Sequence, residues 1–186
     1  MNLVLDAGHG GKDPGAAYNS LRESDISLGI ALSLKELLEG QIYMTRTSDV
    51  FVELKDRTAL ANKHNADLIS LHCNAAEKPE ANGSEIWCFA REDAHGKETE
   101  GSIMAGLILK ELCALGFKNR GVKAIYDNKS HVFTYRPLWV LKETKQTALI
   151  IECGFLSNKN DTEMLRDFKS IAGAIFKGLN SFKVSR

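Results

Sequence analysis

The sequence has no run of apolar residues long enough to span a bilayer, and no basic segment followed by an apolar core at its start. A membrane span and a secretory leader are therefore not expected, and synthesis in a reducing cytoplasm is. Charge of one sign is lacking too: 24 Lys plus Arg balance 24 Asp plus Glu. That balance removes the electrostatic footprint of a nucleic-acid or anionic-membrane binder. The four cysteines, Cys73, Cys88, Cys113 and Cys153, form no C-x-x-C pair, which argues against a thiolate zinc knuckle. Each lies in an apolar segment, as reduced, buried thiols do. No G-x-S-x-G elbow and no phosphate loop occur. Repeats, low-complexity tracts and linkers are missing as well, so residues 1–186 are expected to form one domain.

What is present is an alternation of short apolar runs with amphipathic stretches. Strands are predicted at Leu3 to Asp6, Ile42 to Thr45, Leu68 to His72, in "NGSEIWCFA", in "LWVLKET" and in "ALIIECG". Helices are predicted from Ser24 to Gly40, with Ile26, Ile30, Leu34, Leu37 and Leu38 on one face, and over Val52 to His64, with Leu54, Thr58 and Ala61 inward. A third covers Ser102 to Leu115, and a fourth Asp161 to Leu179. Phe117 to Arg136 has no clear period and reads as loop with a short strand. The sum is an α/β fold: a mostly parallel twisted sheet of about six strands flanked by helices.

Sheets of this kind bind ligands beyond the carboxyl ends of their strands. At those ends the sequence places His9, in the glycine-rich "LDAGHGGKDPGA", then His72 and Glu152, with Glu23 at the start of the first helix. Two imidazoles and a carboxylate form a common catalytic zinc set, and a further carboxylate is then free to move a proton. Read singly, each residue has a plainer explanation. A strand-end histidine is often structural, and Glu23 with Asp25 suits a helix dipole. Glu152 is the hardest to dismiss, because a carboxylate after Ala148-Leu149-Ile150-Ile151 is costly without a partner or a task.

The ordered motifs "LDAGHGGKDPGA", "LRESDISLGIA", Thr45-Arg46, "LKDRTALAN", "ADLISLHCNAA", "GSEIW", "NRGVK" and "ALIIECGFLSNKND" together resemble the zinc N-acetylmuramoyl-L-alanine amidases of the type-3 family. The resemblance implies a single α/β catalytic domain that cleaves the amide between N-acetylmuramic acid and L-alanine in bacterial peptidoglycan. It implies one zinc ion held by His9, Glu23 and His72, with Glu152 as the catalytic carboxylate. Cys73 and Cys153 stand where the family often has a small residue; strand alternation turns both thiols to the other face. The short polar span from Ala90 to Ser102 leaves no room for a helix that blocks the cleft. With no export signal, this favours an enzyme that reaches the cell wall after release, as a phage endolysin does, and no separate wall-binding domain is expected.

Substrate contacts are assigned to Asn74, which can alternatively cap a strand-end turn, and to Arg120, whose plainer role is a solvated loop charge. His64 suits a helix C-terminus and His95 the surface, while His131 is a candidate for the cleft, its plainer place being outside it. Three rival readings remain: another zinc peptidase or deacetylase, a catalytically silent wall-binding module, and a cysteine nucleophile at Cys73 or Cys153.

Overall fold

The strand from Asn2 to Ala7 (β1) lies inside a six-stranded sheet, between parallel neighbours Gln41–Met44 (β4) and Asp67–Asn74 (β5). The computed structural model from which this is read describes residues 1–90, 99–126 and 138–185. Beyond β5 come Ala148–Phe155 (β8), Ser84–Ala90 (β6) and Asn119–Tyr126 (β7), giving the order β4-β1-β5-β8-β6-β7. β8 is parallel to β5, β6 is antiparallel to β8, and β7 is parallel to β6. The sheet is thus mostly parallel, with its last two strands reversed. A small hairpin, Ala17–Tyr18 (β2) with Leu21–Arg22 (β3), stands beside it.

Strand alternation divides the buried residues between two faces. Leu3, Leu5, Ala7, Ile69, Leu71, Leu149 and Ile151 pack under three helices, Glu23–Leu37 (α1), Glu100–Ala114 (α3) and Phe168–Val184 (α6). On the other face Val4, Leu68, Ala148 and Ile150 meet Ala61 of Leu54–His64 (α2) and Val140 and Leu141 of Trp139–Glu143 (α4). The six strands expected by name are not quite the six of the observed sheet. "LWVLKET" forms α4 instead of a strand: Leu138, Val140 and Leu141 are buried together as one helical turn brings them, and the Thr144 hydroxyl donates to the Val140 carbonyl at 2.7 Å. Its place in the sheet is taken by β7, in the stretch expected to be mainly loop.

Other boundaries shift for local reasons. The last predicted helix is two, Lys159–Leu165 (α5) and α6, because Asp167 caps a new start by accepting from the Ser170 amide. Leu37 and Leu115 point to solvent, and Leu54 is 36% exposed beside the cleft described below. His95 and His131 lie outside the described residues, as does most of the span from Ala90 to Ser102. Among the described residues no helix is long and apolar enough to cross a membrane.

Candidate metal centre

On the α2/α4 face, the strands turn polar toward their carboxyl ends. Asp6, Ser70, His72 and Glu152 follow the apolar Val4, Leu68 and Ile150 on the same side of β1, β5 and β8, and all four line a cleft of about 510 Å3. His9, from the loop after β1, and Glu23, the first residue of α1, complete it. The four residues read from the sequence as a metal and proton-transfer set are brought together here. His9, Glu23 and His72 each offer a ligand atom, and these atoms lie within 4.8 Å of one another.

Glu23 is the hub of the cluster. Its Oε1 is 2.8 Å from His72 Nδ1 and 3.1 Å from His9 Nε2, and it also accepts from the Cys73 amide at 3.0 Å. Its Oε2 accepts from the Ala16 amide at 2.9 Å. Burial alone would raise the Glu23 carboxyl, but the two imidazoles outweigh it and hold the group well below the usual carboxylate range. The same contacts lift His72 to about 9 and raise His9, in each case against the effect of burial. A carboxylate shared by two imidazoles is a donor set suited to a divalent cation, which would replace the protons they share.

The glycines of the first loop make this approach possible. A Cβ on Gly8 would lie 2.5 Å from the His72 ring, and one on Gly15 would lie 2.6 Å from both Glu23 Oε2 and the His9 ring. His9 itself sits at φ 59, a left-handed conformation costing a non-glycine residue roughly 1–2 kcal/mol. Several side chains hold it there. Asp13 Oδ2 lies 2.9 Å from His9 Nδ1, turning Nε2 toward Glu23. Buried Arg57 donates to the carbonyls of Ala7 and His9 and pairs with Asp6 at 2.7 Å, while Arg46 donates to those of Ala7, Gly8 and Ser24. Ser70 and Thr45 donate to the remaining lone pairs of Asp6. Sequence reasoning missed Asp13, Asp6, Arg46 and Arg57 as supports of the site. Only their places within the motifs "LDAGHGGKDPGA", Thr45-Arg46 and "LKDRTALAN" signalled them.

Glu152 behaves oppositely to Glu23. It sits beside His72 in the β5/β8 register, and its Oε2 is buried with no hydrogen-bond partner among the described residues. Burial, aided by the negative charges of Glu23 and Glu85, pushes its carboxyl up to about 7. A carboxyl that gains and loses a proton near neutrality can act as base and then acid.

Cys73 and Cys153 are buried with the apolar cluster under α1, α3 and α6, on the face opposite His72 and Glu152. Burial raises both thiols, and the nearby charges of Glu23 and Glu152 add to it, so neither is a ready thiolate. Asn74 lines the cleft. Arg120 does not: its Nε donates to Glu85 at 2.9 Å and its guanidinium lies 4.7 Å from the Phe155 ring centre. His64 stacks on Tyr43 at 3.8 Å in the last turn of α2. A second, polar groove of about 570 Å3, between the β2–β3 hairpin and α5, contains none of the site residues.

Known proteins share both the sequence and this architecture. The chain is 37% identical to the endolysin of Bacillus phage SPP1 over 168 residues, covering 87% of this chain and 57% of that protein. It is 34% identical to the N-acetylmuramoyl-L-alanine amidase CwlM of Bacillus licheniformis, over 100% of this chain and 70% of the relative. The CwlD amidase of Clostridioides difficile, solved in complex with the GerS lipoprotein, superposes with a TM-score of 0.83 at 30% identity, covering 99% of this chain and 98% of that one. The catalytic domain of CwlV from Bacillus (Paenibacillus) polymyxa var. colistinus gives 0.80 at 28% identity, with both chains fully covered. The sequence pattern of one family extends over residues 3–181, nearly the whole chain. The chain belongs to the N-acetylmuramoyl-L-alanine amidase family.

Proposed function

We propose that the protein is a zinc-dependent amidase that hydrolyses the bond between the lactyl group of N-acetylmuramic acid and the L-alanine of the peptidoglycan stem. The observation carrying this reading is the convergence of His9, Glu23 and His72 in one open cleft with Glu152, whose Oε2 has no hydrogen-bond partner among the described residues. Family membership supplies the substrate class. The phage endolysin and the cell-wall amidases among the relatives support action at the bacterial wall.

In this mechanism His9, Glu23 and His72 hold the ion, with Asp13 orienting His9. Zinc bound there supplies Lewis acidity toward an amide carbonyl and toward water. Glu152 accepts a proton from the attacking water as the new carbon–oxygen bond forms. It then delivers that proton to the alanine nitrogen as the carbon–nitrogen bond breaks, so the products are a free lactyl carboxylate and an alanine amine. The raised proton affinity of Glu152 suits both halves of this transfer. Catalysis lies with this single domain, without a separate wall-binding unit within residues 1–186.

End-group analysis of purified peptidoglycan tests the reading. New N-terminal alanine that disappears with a chelator and returns with zinc is the expected result. New termini at other amino acids would identify a peptidase. No new termini, with the wall still bound, would identify a silent binding module.

A further inference from the structure

We infer that Glu85, paired with Arg120, is a positioning residue that fixes Asn74 as a hydrogen-bond acceptor for an amide N–H of the substrate. The inference rests on the amidase reading and concerns a part of the cleft wall which that mechanism does not use.

Its starting point is a row of side chains across the sheet. His72 on β5 is the register partner of Glu152 on β8, and Glu152 is the antiparallel partner of Glu85 on β6. Carboxylates directly opposite one another repel, and Glu85 is only 7% exposed. A buried carboxylate in this position requires compensation. It comes from the next strand. Ser84 pairs with Asn119 and Ile86 with Val122, so two residues of β7, Arg120 and Gly121, stand opposite Glu85. This is a bulge, with Gly121 at φ 90, and bulges re-aim side chains. Here Arg120 Nε is aimed onto Glu85 Oε2 at 2.9 Å, and the guanidinium rests over Phe155.

The Arg120 guanidinium has only N–H groups to offer, so the Glu85 oxygen that it meets acts as the acceptor. The other oxygen of Glu85 takes two donors, Trp87 Nε1 and Asn74 Nδ2, each at 3.3 Å. The orientation of the Asn74 amide is thereby forced, because the flipped form would set its carbonyl oxygen against a carboxylate oxygen. Asn74 Oδ1 is left without a hydrogen-bond partner among the described residues, on a side chain that lines the cleft. An oxygen so fixed takes an N–H and refuses a carbonyl. A muramoyl peptide offers such donors close to the scissile bond from two sources, the stem-peptide backbone and the acetamido group of the sugar.

Steady-state kinetics on a soluble N-acetylmuramoyl dipeptide test the device, with zinc content measured for every variant. Glu85→Gln allows the Asn74 amide to flip. It is expected to raise KM about tenfold, the scale of one hydrogen bond in a poorly hydrated site, with a smaller change in kcat and zinc content unaltered. Asn74→Asp alone is expected to be worse, since it sets two carboxylates face to face. Asn74→Asp combined with Glu85→Gln restores an N–H donor facing a carboxylate and still presents an oxygen to the cleft, so KM returns toward the wild-type value. A merely structural pair would lower the active fraction and the melting temperature and leave KM alone; that result overturns the inference, as does a double variant no better than its parents. If Glu85→Gln fails to fold, Arg120→Gln tests the same relay with the same expected rise in KM. Substrates lacking either the acetamido group or the first peptide N–H identify the donor: Asn74→Ala is expected to cost nothing further on the one whose N–H it meets, and an undiminished cost on both overturns the assignment. A wild-type protein that cuts neither dipeptide nor purified peptidoglycan would remove the amidase reading, and this inference with it. Cleavage by wild type and variants with equal KM would remove this inference alone.

Discussion

The two faces of the central sheet are built from alternate residues of the same strands, yet they differ in kind. Under α1, α3 and α6 the residues Leu5, Ala7, Ile69, Leu71, Ile151 and Cys153 stay apolar along the whole strand length. Under α2 and α4 the series starts as apolar, at Val4, Leu68 and Ile150, and ends in Asp6, Ser70, His72 and Glu152. The short helix α4, five residues long, covers less of its face than α1, α3 and α6 cover of theirs. A period of two thus lets one strand serve a closed core and an open reactive cleft at once. Stability should depend chiefly on the first face and chemistry on the second.

The sharpest break in that division comes from the proposed ligands. His9→Ala and His72→Ala should each lose zinc and turnover together, as read by metal analysis of dialysed protein and by release of alanine termini. Zinc retained by either variant would remove that residue from the ligand set. Glu152→Gln should keep its zinc and lose about 10²–10⁴-fold in kcat, the usual contribution of a positioned proton carrier.

Ile108→Ala, on the closed face, should do the reverse. It should cost about 2–5 kcal/mol in urea unfolding, while zinc content and turnover per folded molecule stay as in the wild type. A gentler test is acid. Burial alone would raise Asp6, but Arg57, Ser70 and Thr45 outweigh it and hold the carboxyl below its ordinary 3.8. The stabilisation is therefore fully present above that ordinary value and lost as pH falls through the lower folded value. The urea midpoint should drop over this acid range, and the part of the slope due to Asp6 should vanish in Asp6→Asn. Smallest of all should be Cys73→Ala, at about 1 kcal/mol, with zinc binding and turnover unchanged. A loss of zinc there would move the thiol into the site.

How far the sequence revealed these two faces follows from the range of the interactions. His72 and Glu152 were legible because each is a polar residue ending an apolar run, and His9 because so many glycines surround it. Glu23 was legible through its motif, since its charge alone suits any helix start. The supports were not legible. Asp6 with Arg57, His9 with Arg57, and Glu85 with Arg120 are pairs 35 to 51 residues apart, and no local pattern encodes such a meeting. β7 was obscured by its bulge at Arg120 and Gly121, which interrupts the alternation that marks a strand. "LWVLKET" misled for the opposite reason: its β-branched, aromatic composition suits a strand, while its burial at Leu138, Val140 and Leu141 is that of one helical turn. The reversed direction of β6 left no mark either, since a strand reads alike in both orientations.

The measurement that bears most directly on the account is zinc-edge anomalous diffraction from crystals of the zinc-loaded protein. A single peak bounded by His9, Glu23 and His72, on the cleft side of the sheet and facing Glu152, is the predicted result. A peak at Cys73 or Cys153, in the second groove, or nowhere in the cleft would contradict it.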